Sequence, residues 1–401
     1  MAGTAVWLLQ QLIPPLLLTY FYFGWKITTF ETPQIYRTLP TLLVGSITIV
    51  YLRLYFLSST QSTPPYDPPP AIRNRKIIFQ CLSPSEAKAL RLANDAANQY
   101  DEEPMVERCH RDRCGGRWKP ARTRHCSMCQ RCRGGWDHHC PFFANCLTAQ
   151  YMRSFLALLL YTPPTVLLLS LPLYKPLCNR AIAAYAFSRS SDEIRQYWWD
   201  WSYSWVIAGG PIGRYAGGMI LGWRELDKMD NDKTLRLGVG LMIGFGVLLA
   251  LVTTGLAFST ITLLVRGNLT IDKGRSTAHN QALHAIYKSK MSGRSIPPEL
   301  EMNLKRFSDT RHFYVPFPES FQNNGKEGIV LPILDHERPY DHGWKKNLEI
   351  VLGKGWAWLL PWNAMQRGMG DEMFSWPIEE GVKNRLMEEA ERIALEIQGD
   401  S

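Results

Sequence analysis

The sequence lacks most marks of a soluble, secreted or nucleic-acid-binding protein. Basic residues exceed acidic ones by 45 to 36 across 401 residues, yet no single arm collects them, which argues against a nucleic-acid partner. The first apolar run has no basic n-region and no small-residue cleavage site behind it, so it does not read as a signal peptide. There is no internal repeat, and the closing Gly399-Asp400-Ser401 carries no retrieval signal. Charge is almost absent from four stretches: about Ala5 to Trp25, Leu39 to Leu57, Ser154 to Tyr174 and Leu237 to Val265. Each is near the ~20 apolar residues that cross a ~30 Å hydrocarbon core. The mean hydropathy of -0.18 conceals them, because the remaining chain is polar. Tyr20-Phe21-Tyr22-Phe23 and Tyr55-Phe56 add aromatics where spans meet an interface.

These features imply an all-α multi-pass membrane protein with four spans. The basic residues lie mainly between Arg73 and Arg153 and after Arg266. Arg153, Arg266, Lys273 and Arg275, close to the spans, place those regions and both termini in the cytosol. In that reducing compartment metal binding is favoured over disulfides. The expected divisions are 1–58 (two spans), 59–108 (cytosolic linker and helix), 109–153 (cysteine-rich domain), 154–265 (two spans and a non-cytosolic loop) and 266–401 (cytosolic C-terminal region). The Pro-rich stretch Ser62 to Ala71 should run extended as a semi-rigid spacer. Ser83-Pro84-Ser85-Glu86 opens a helix to about Asn98 through a capping box. Val206 to Trp223, with Gly209-Gly210-Pro211, Gly217-Gly218 and Arg214, reads as an interfacial or re-entrant loop rather than a fifth span. A last helix is expected from about Glu379 to Ile397, with Leu386, Ile393 and Ile397 on one face.

Cysteine is scarce except in one window, where seven of the nine fall between Cys109 and Cys146. The pattern is Cys109-x4-Cys114, His125-Cys126-x2-Cys129-x2-Cys132, His139-Cys140 and Cys146. Structural Zn(II) takes four ligands from thiolate and imidazole. With Cys140 set aside, six cysteines plus His125 and His139 make two Cys3His sets with nothing left over. Such ions would replace the core that so short a segment cannot build. Neither set leaves an open position for water, which argues against a zinc hydrolase. In Asp137-His138-His139-Cys140 a thiol lies beside imidazole and carboxylate, the raw material of nucleophilic catalysis.

Through Lys119-Pro120-Ala121-Arg122, His125-Cys126, Asp137-His138-His139-Cys140-Pro141, Asn145-Cys146 and Phe155, the segment Cys109 to Phe155 resembles the DHHC family of membrane-embedded protein S-acyltransferases (palmitoyltransferases), its fungal members most. Leu269-Thr270-Ile271-Asp272 is a weaker match to the family's Thr-Thr-x-Glu motif, and Pro339 to Asn347 resembles its C-terminal aromatic-and-Asn motif. The resemblance implies one zinc on Cys109, Cys114, His125 and Cys132 and a second on Cys126, Cys129, His139 and Cys146, a pairing that spacing alone leaves open. It implies Cys140 as nucleophile, His138 as base and Asp137 as its orienter; a zinc-bound His139 has its lone pair committed and cannot be the base. The implied donor is acyl-CoA, palmitoyl-CoA above all, and the acceptor a cysteine of a cytosolic or membrane-associated protein, giving a lipoprotein. The implied location is the ER or Golgi, or the vacuolar or plasma membrane.

Arg122, Arg131 and Arg133 are candidates to attract CoA phosphates, and Tyr340 and Asn347 to tie the C-terminal region to the catalytic module. Pro14-Pro15 and Pro163-Pro164 should kink their spans. Against the family pattern stand the long Cys109-x4-Cys114 spacing, Phe142 for Trp, Thr148 and Tyr151 for Gly and Asn, and Asp272 for Glu. The rival reading is an inactive zinc-bearing membrane scaffold. A RING-like ligase or nucleic-acid finger fits less well, because the cluster joins the third span too tightly to reach a duplex.

Overall fold

The computed structural model describes residues 2–399 except 30–31, 57–58, 88–105, 230–234, 294, 299, 302–303, 305–310, 320, 322–326, 367 and 370. The protein is mostly helical. Its longer helices are α1 (Ala2–Thr29), α2 (Gln34–Phe56), α3 (Met152–Ser190), α4 (Pro211–Met229), α5 (Leu237–Val265), α6 (Thr270–Met291), α7 (Trp344–Leu352) and α8 (Glu380–Gly399). Among the described residues, Gln34–Phe56, Ala149–Ser190 and Leu237–Val265 are helical segments long and apolar enough to cross a membrane. The first apolar run also folds as helix, α1. The chain divides into two compact units: Met1–Gln10, Arg53–Phe155 and Ser259–Ser401 form one, Gln11–Leu52 and Leu156–Phe258 the other.

The second unit is helical, and proline interrupts its helices without ending them. Pro163, Pro164, Pro172 and Pro176 all lie inside α3. Each proline removes the N–H that would meet the carbonyl four residues back. For Pro172 that carbonyl is Leu168 O, and the Tyr36 hydroxyl of α2 donates to it. A carbonyl freed in hydrocarbon needs a partner inside the protein. Leu177, Trp223 and Val239 pack together with Ile27 and Leu235. Past that cluster α3 runs on to Ser190, the chain turns through Arg195–Trp199, and α4 returns. The expected loop at 206–223 is therefore a short turn followed by the start of a helix. Its glycines serve close packing: a Cβ on Gly218 would lie 2.0 Å from the Trp199 ring, and one on Gly222 would lie 2.0 Å from Ala184 O.

The first unit departs from the all-α expectation. Three antiparallel hairpins follow one another: β2 (Arg108–Cys109) with β3 (Arg117–Trp118), β4 (Arg124–Cys126) with β5 (Arg131–Arg133), and β6 (Trp136–Cys140) with β7 (Asn145–Thr148). A three-stranded antiparallel sheet joins β1 (Phe79–Cys81), β8 (His312–Pro316) and β9 (Gly328–Pro332), with Phe79 opposite Tyr314 and Phe313 opposite Leu331. α8 packs on this sheet through Val382, Leu386, Ala390 and Ala394, all buried, while Ile393 and Ile397 are half-buried. The Pro-rich stretch leaves a 3-10 turn at Ser59–Ser62, bends at Tyr66 and Asp67 and ends in a helical turn at Pro70–Arg73, so it is a fastened strap rather than an extended free spacer. Trp118 N–H donates to Tyr66 O (2.8 Å) and Gly134 N–H to Ser62 O (2.7 Å), fastening it to two hairpins. The capping box forms, with Ser83 N–H on Glu86 Oε2 (2.9 Å) and Glu86 N–H on Ser83 Oγ (3.1 Å). The continuation of that helix from residue 88 towards Asn98 lies outside the described residues.

Candidate active site and metal clusters

Two sets of four donors converge in the hairpins: Cys109, Cys114, His125 and Cys132, and Cys126, Cys129, His139 and Cys146. In each set the ligand atoms all lie within 4.8 Å of one another. Register explains the interleaving. His125 stands directly opposite Cys132 on β4–β5, and His139 opposite Cys146 on β6–β7. Successive strand residues face opposite ways, so neighbouring His125 and Cys126 serve different sets. A tetrahedral ion with Zn–S ~2.3 Å and Zn–N ~2.0 Å separates sulfur from nitrogen by roughly 3.5 Å. His125 Nδ1 lies 3.5, 3.4 and 4.0 Å from the sulfurs of Cys109, Cys114 and Cys132. His139 Nδ1 lies 3.6, 3.5 and 3.7 Å from those of Cys126, Cys129 and Cys146. Both donor sets therefore fit a structural zinc ion. The outer imidazole nitrogens are also held, His125 Nε2 by Asp112 Oδ2 (2.8 Å) and His139 Nε2 by Gln10 Oε1 (3.4 Å), which fixes ring orientation.

Cys140 belongs to neither set and is buried, 4% exposed. On β6 the strand alternation turns His138 and Cys140 to one face and His139 to the other. A register shift between Trp136 and His138 marks a β-bulge at Asp137, and a bulge re-aims the side chain it carries. Asp137 Oδ2 accepts from His138 Nδ1 at 2.8 Å, and the Cys140 side chain is close enough to favour the charged imidazole. Burial opposes a charged imidazole at His138, but the bonds and charges of Asp137 and Cys140 outweigh it and raise the group to about 10. Phe155 meets the His138 ring edge-on at 5.9 Å, closing one side.

A thiol, an imidazole and a carboxylate are thus brought together on β6, with two metal-type clusters around them. Residues 107–277 match the family model described as DHHC palmitoyltransferase. The matched segment carries both clusters and Cys140, and over it the protein is similar to DHHC palmitoyltransferases. It is similar to palmitoyltransferase PFA3 of Kluyveromyces lactis, 47% identical over 45 residues (11% of this chain and 14% of that protein). Palmitoyltransferase akr1 of Emericella nidulans is 30% identical over 138 residues (34% and 16%), and palmitoyltransferase spe-10 of Caenorhabditis elegans is 32% identical over 109 residues (26% and 28%). The chain thus spans less than a third of the length of these curated relatives.

The matched segment also holds its buried carboxylate from outside the hairpins. Thr270 N–H, in the first turn of α6, donates to Asp137 Oδ1 at 3.2 Å, and the positive end of a helix favours an anion there. Asp272, two residues on, anchors that turn: its Oδ2 accepts from Leu269 N–H (3.0 Å) and pairs with Arg122 (2.9 Å), while Oδ1 pairs with Arg311 (2.6 Å). Burial works against charge on Asp272, and the two guanidiniums overcome it, holding its carboxyl below the usual range. Burial likewise lowers Arg122, opposed by Asp272, but an arginine stays charged at neutral pH. Arg122 lies over the rings of both Tyr340 (4.3 Å) and Trp376 (4.4 Å), which meet each other edge-on, and also donates to Gly267 O. Asn347 Nδ2 donates to Val265 O (3.0 Å), and the Tyr340 hydroxyl to Gln80 Oε1 (2.9 Å).

Of the arginines read as CoA contacts, Arg122 and Arg133 are buried and committed inside the protein, Arg133 on Thr63 Oγ1 (2.6 Å). Arg131 is half-buried. Arg311, Trp376 and Asp112 were not singled out in the sequence, and Thr270 only as part of the 269–272 motif. They act through a long-range ion pair, a stacked ring, a bond to an outer imidazole nitrogen and a backbone N–H, none of which has a local signature.

Proposed function

We propose that this chain is a protein S-acyltransferase that moves a fatty acyl group, palmitoyl above all, from acyl-CoA to cysteines of proteins at the cytosolic face of a membrane. The observation that carries the reading is Cys140: its sulfur is outside both metal clusters and lies beside a histidine that Asp137 orients. The Cys140 sulfur attacks the thioester carbonyl of acyl-CoA. His138 takes the Cys140 proton as this C–S bond forms, and hands it to the CoA thiolate as the bond to CoA breaks. A substrate cysteine then gives its proton to His138 and attacks the Cys140 thioester, and the released Cys140 thiolate takes that proton back from His138, restoring the free thiol. Asp137 keeps the ring in the tautomer that faces the sulfur.

Zinc on the two Cys3His sets supplies structural cross-links and no redox chemistry. The sets hold β4–β7, and so the spacing of His138 and Cys140. Four spans, with α1 as the first, would set this face against the bilayer, where an acyl chain gains ~0.8 kcal/mol per methylene removed from water. Arg131 remains the candidate among the three arginines for CoA phosphates.

Incubation of the purified protein with labelled palmitoyl-CoA tests this. The expected result is a hydroxylamine-sensitive adduct, present in the parent and absent in Cys140→Ser. An adduct of equal size in Cys140→Ser, or none in zinc-loaded parent protein, contradicts it.

A further inference from the structure

Within the second unit, the turn between α3 and α4 encloses a half-open cavity of about 280 Å³, lined by Arg189, Trp199, Trp205, Pro211, Arg214 and Tyr215. At ~30 Å³ per water it has room for a phosphate with its glycerol. Among the described residues neither Arg189 nor Arg214 has a carboxylate partner, whereas neighbouring Arg180 pairs with Asp227 and Arg195 with Asp192 and Asp200. Both guanidiniums lie over the Trp199 ring, at 4.9 and 5.6 Å. Arg214 donates to Trp199 O, and its Nε is buried without a hydrogen-bond partner. The N-terminus of the 19-residue α4 starts at Pro211 on the cavity wall, adding the positive end of a helix dipole. Two positive charges therefore converge with nothing negative to meet them.

The surface around the cavity says what the occupant is. Tyr203, Trp205, Ile207, Ile212 and Tyr215 are all exposed, and the turn and α4 together link α3 to α5, two helices long and apolar enough to cross a membrane. Exposed Trp and Tyr beside spans belong to the headgroup layer, and a helix with apolar and charged faces can lie in that layer. We propose that this turn is a lipid site: it seats in the bilayer interface and takes the phosphodiester of an anionic phospholipid between Arg189 and Arg214.

Native mass spectrometry of the purified full-length protein, titrated with phosphatidylglycerol or phosphatidylcholine, tests the site. Phosphatidylglycerol adducts should form preferentially in the parent. Arg189→Gln/Arg214→Gln should weaken them by at least about tenfold, and Arg195→Gln should leave them unchanged. Arg189 is exposed, so Arg189→Gln alone keeps the turn folded and should still give a measurable loss. Excess inorganic phosphate should not displace the lipid. Equal adducts from both lipids, undiminished adducts in Arg189→Gln and the double variant, or full displacement by phosphate would overturn the proposal. None of these readouts depends on acyl transfer.

Discussion

Asp137 has one oxygen on His138 and the other on Thr270 N–H, so a single side chain joins the base to a distant helix. Asp137→Asn keeps the shape but replaces one acceptor oxygen with a donor, so it cannot satisfy both partners. Orienting carboxylates of this kind contribute about 10²–10⁴ in rate. Single-turnover acylation by palmitoyl-CoA should slow by that order while zinc content is unchanged; a parent-like rate would remove Asp137 from the orienting role. Cys129→Ser probes the clusters separately. Metal analysis should show one zinc lost and the other kept, because Cys129 belongs to one set only. Loss of both ions together would mean that the sets are not independent.

At the scale of elements, the short loop into α6 decides how firmly Asp137 is held. Asp272→Ala leaves Arg122 buried with only part of its countercharge; the side chains of the pair are 4% and 8% exposed. Breaking such a pair costs about 3–5 kcal/mol, and thermal unfolding should show a loss of that order. The pH dependence follows from the sign of the shift. A carboxyl held below its ordinary value contributes stability above the unfolded pKa of about 4, and that contribution is lost as pH falls through the lower folded value. The stability gap between the parent and Asp272→Asn should therefore be full at neutral pH and narrow only in acid. A gap that widened on acidification would refute the pairing.

The motif at 269–272 was visible in the sequence, but its use was not. What Thr270 contributes is a backbone N–H, and Arg311 reaches Asp272 from 39 residues away. The hairpins were equally hidden, because strands of two to five residues leave little alternation to read. The bulge that turns Asp137 is a property of pairing with β7. By contrast, the long apolar runs, the capping box at Ser83 and α8 were legible, since each is encoded within one segment.

For the whole molecule, ions on the two Cys3His sets would stand in for a core in the cysteine-rich segment, whereas the long helices rest on apolar packing. A strong chelator should therefore unfold the hairpins and abolish acylation while most helical circular dichroism persists. Structural zinc sites contribute roughly 10–16 kcal/mol in small metal-folded units, far more than any pair described above. A cooperative loss of all helix on chelation would show that the spans depend on the metal too. Length and charge depletion marked out the three helices long and apolar enough to cross a membrane. The glycine-rich 206–223 segment misled, because glycines that admit Trp198, Trp199 and α3 against α4 look in sequence like those of a loop.

The most direct test is intact-mass spectrometry under conditions that preserve metal binding, after exposure to palmitoyl-CoA. The protein should gain one palmitoyl group, mapped by peptide sequencing to Cys140, with two zinc ions still bound. A palmitoyl group gained only as a zinc ion is lost, or mapped to any other cysteine, would contradict the claim that the Cys140 sulfur is kept free of metal in order to carry the acyl group.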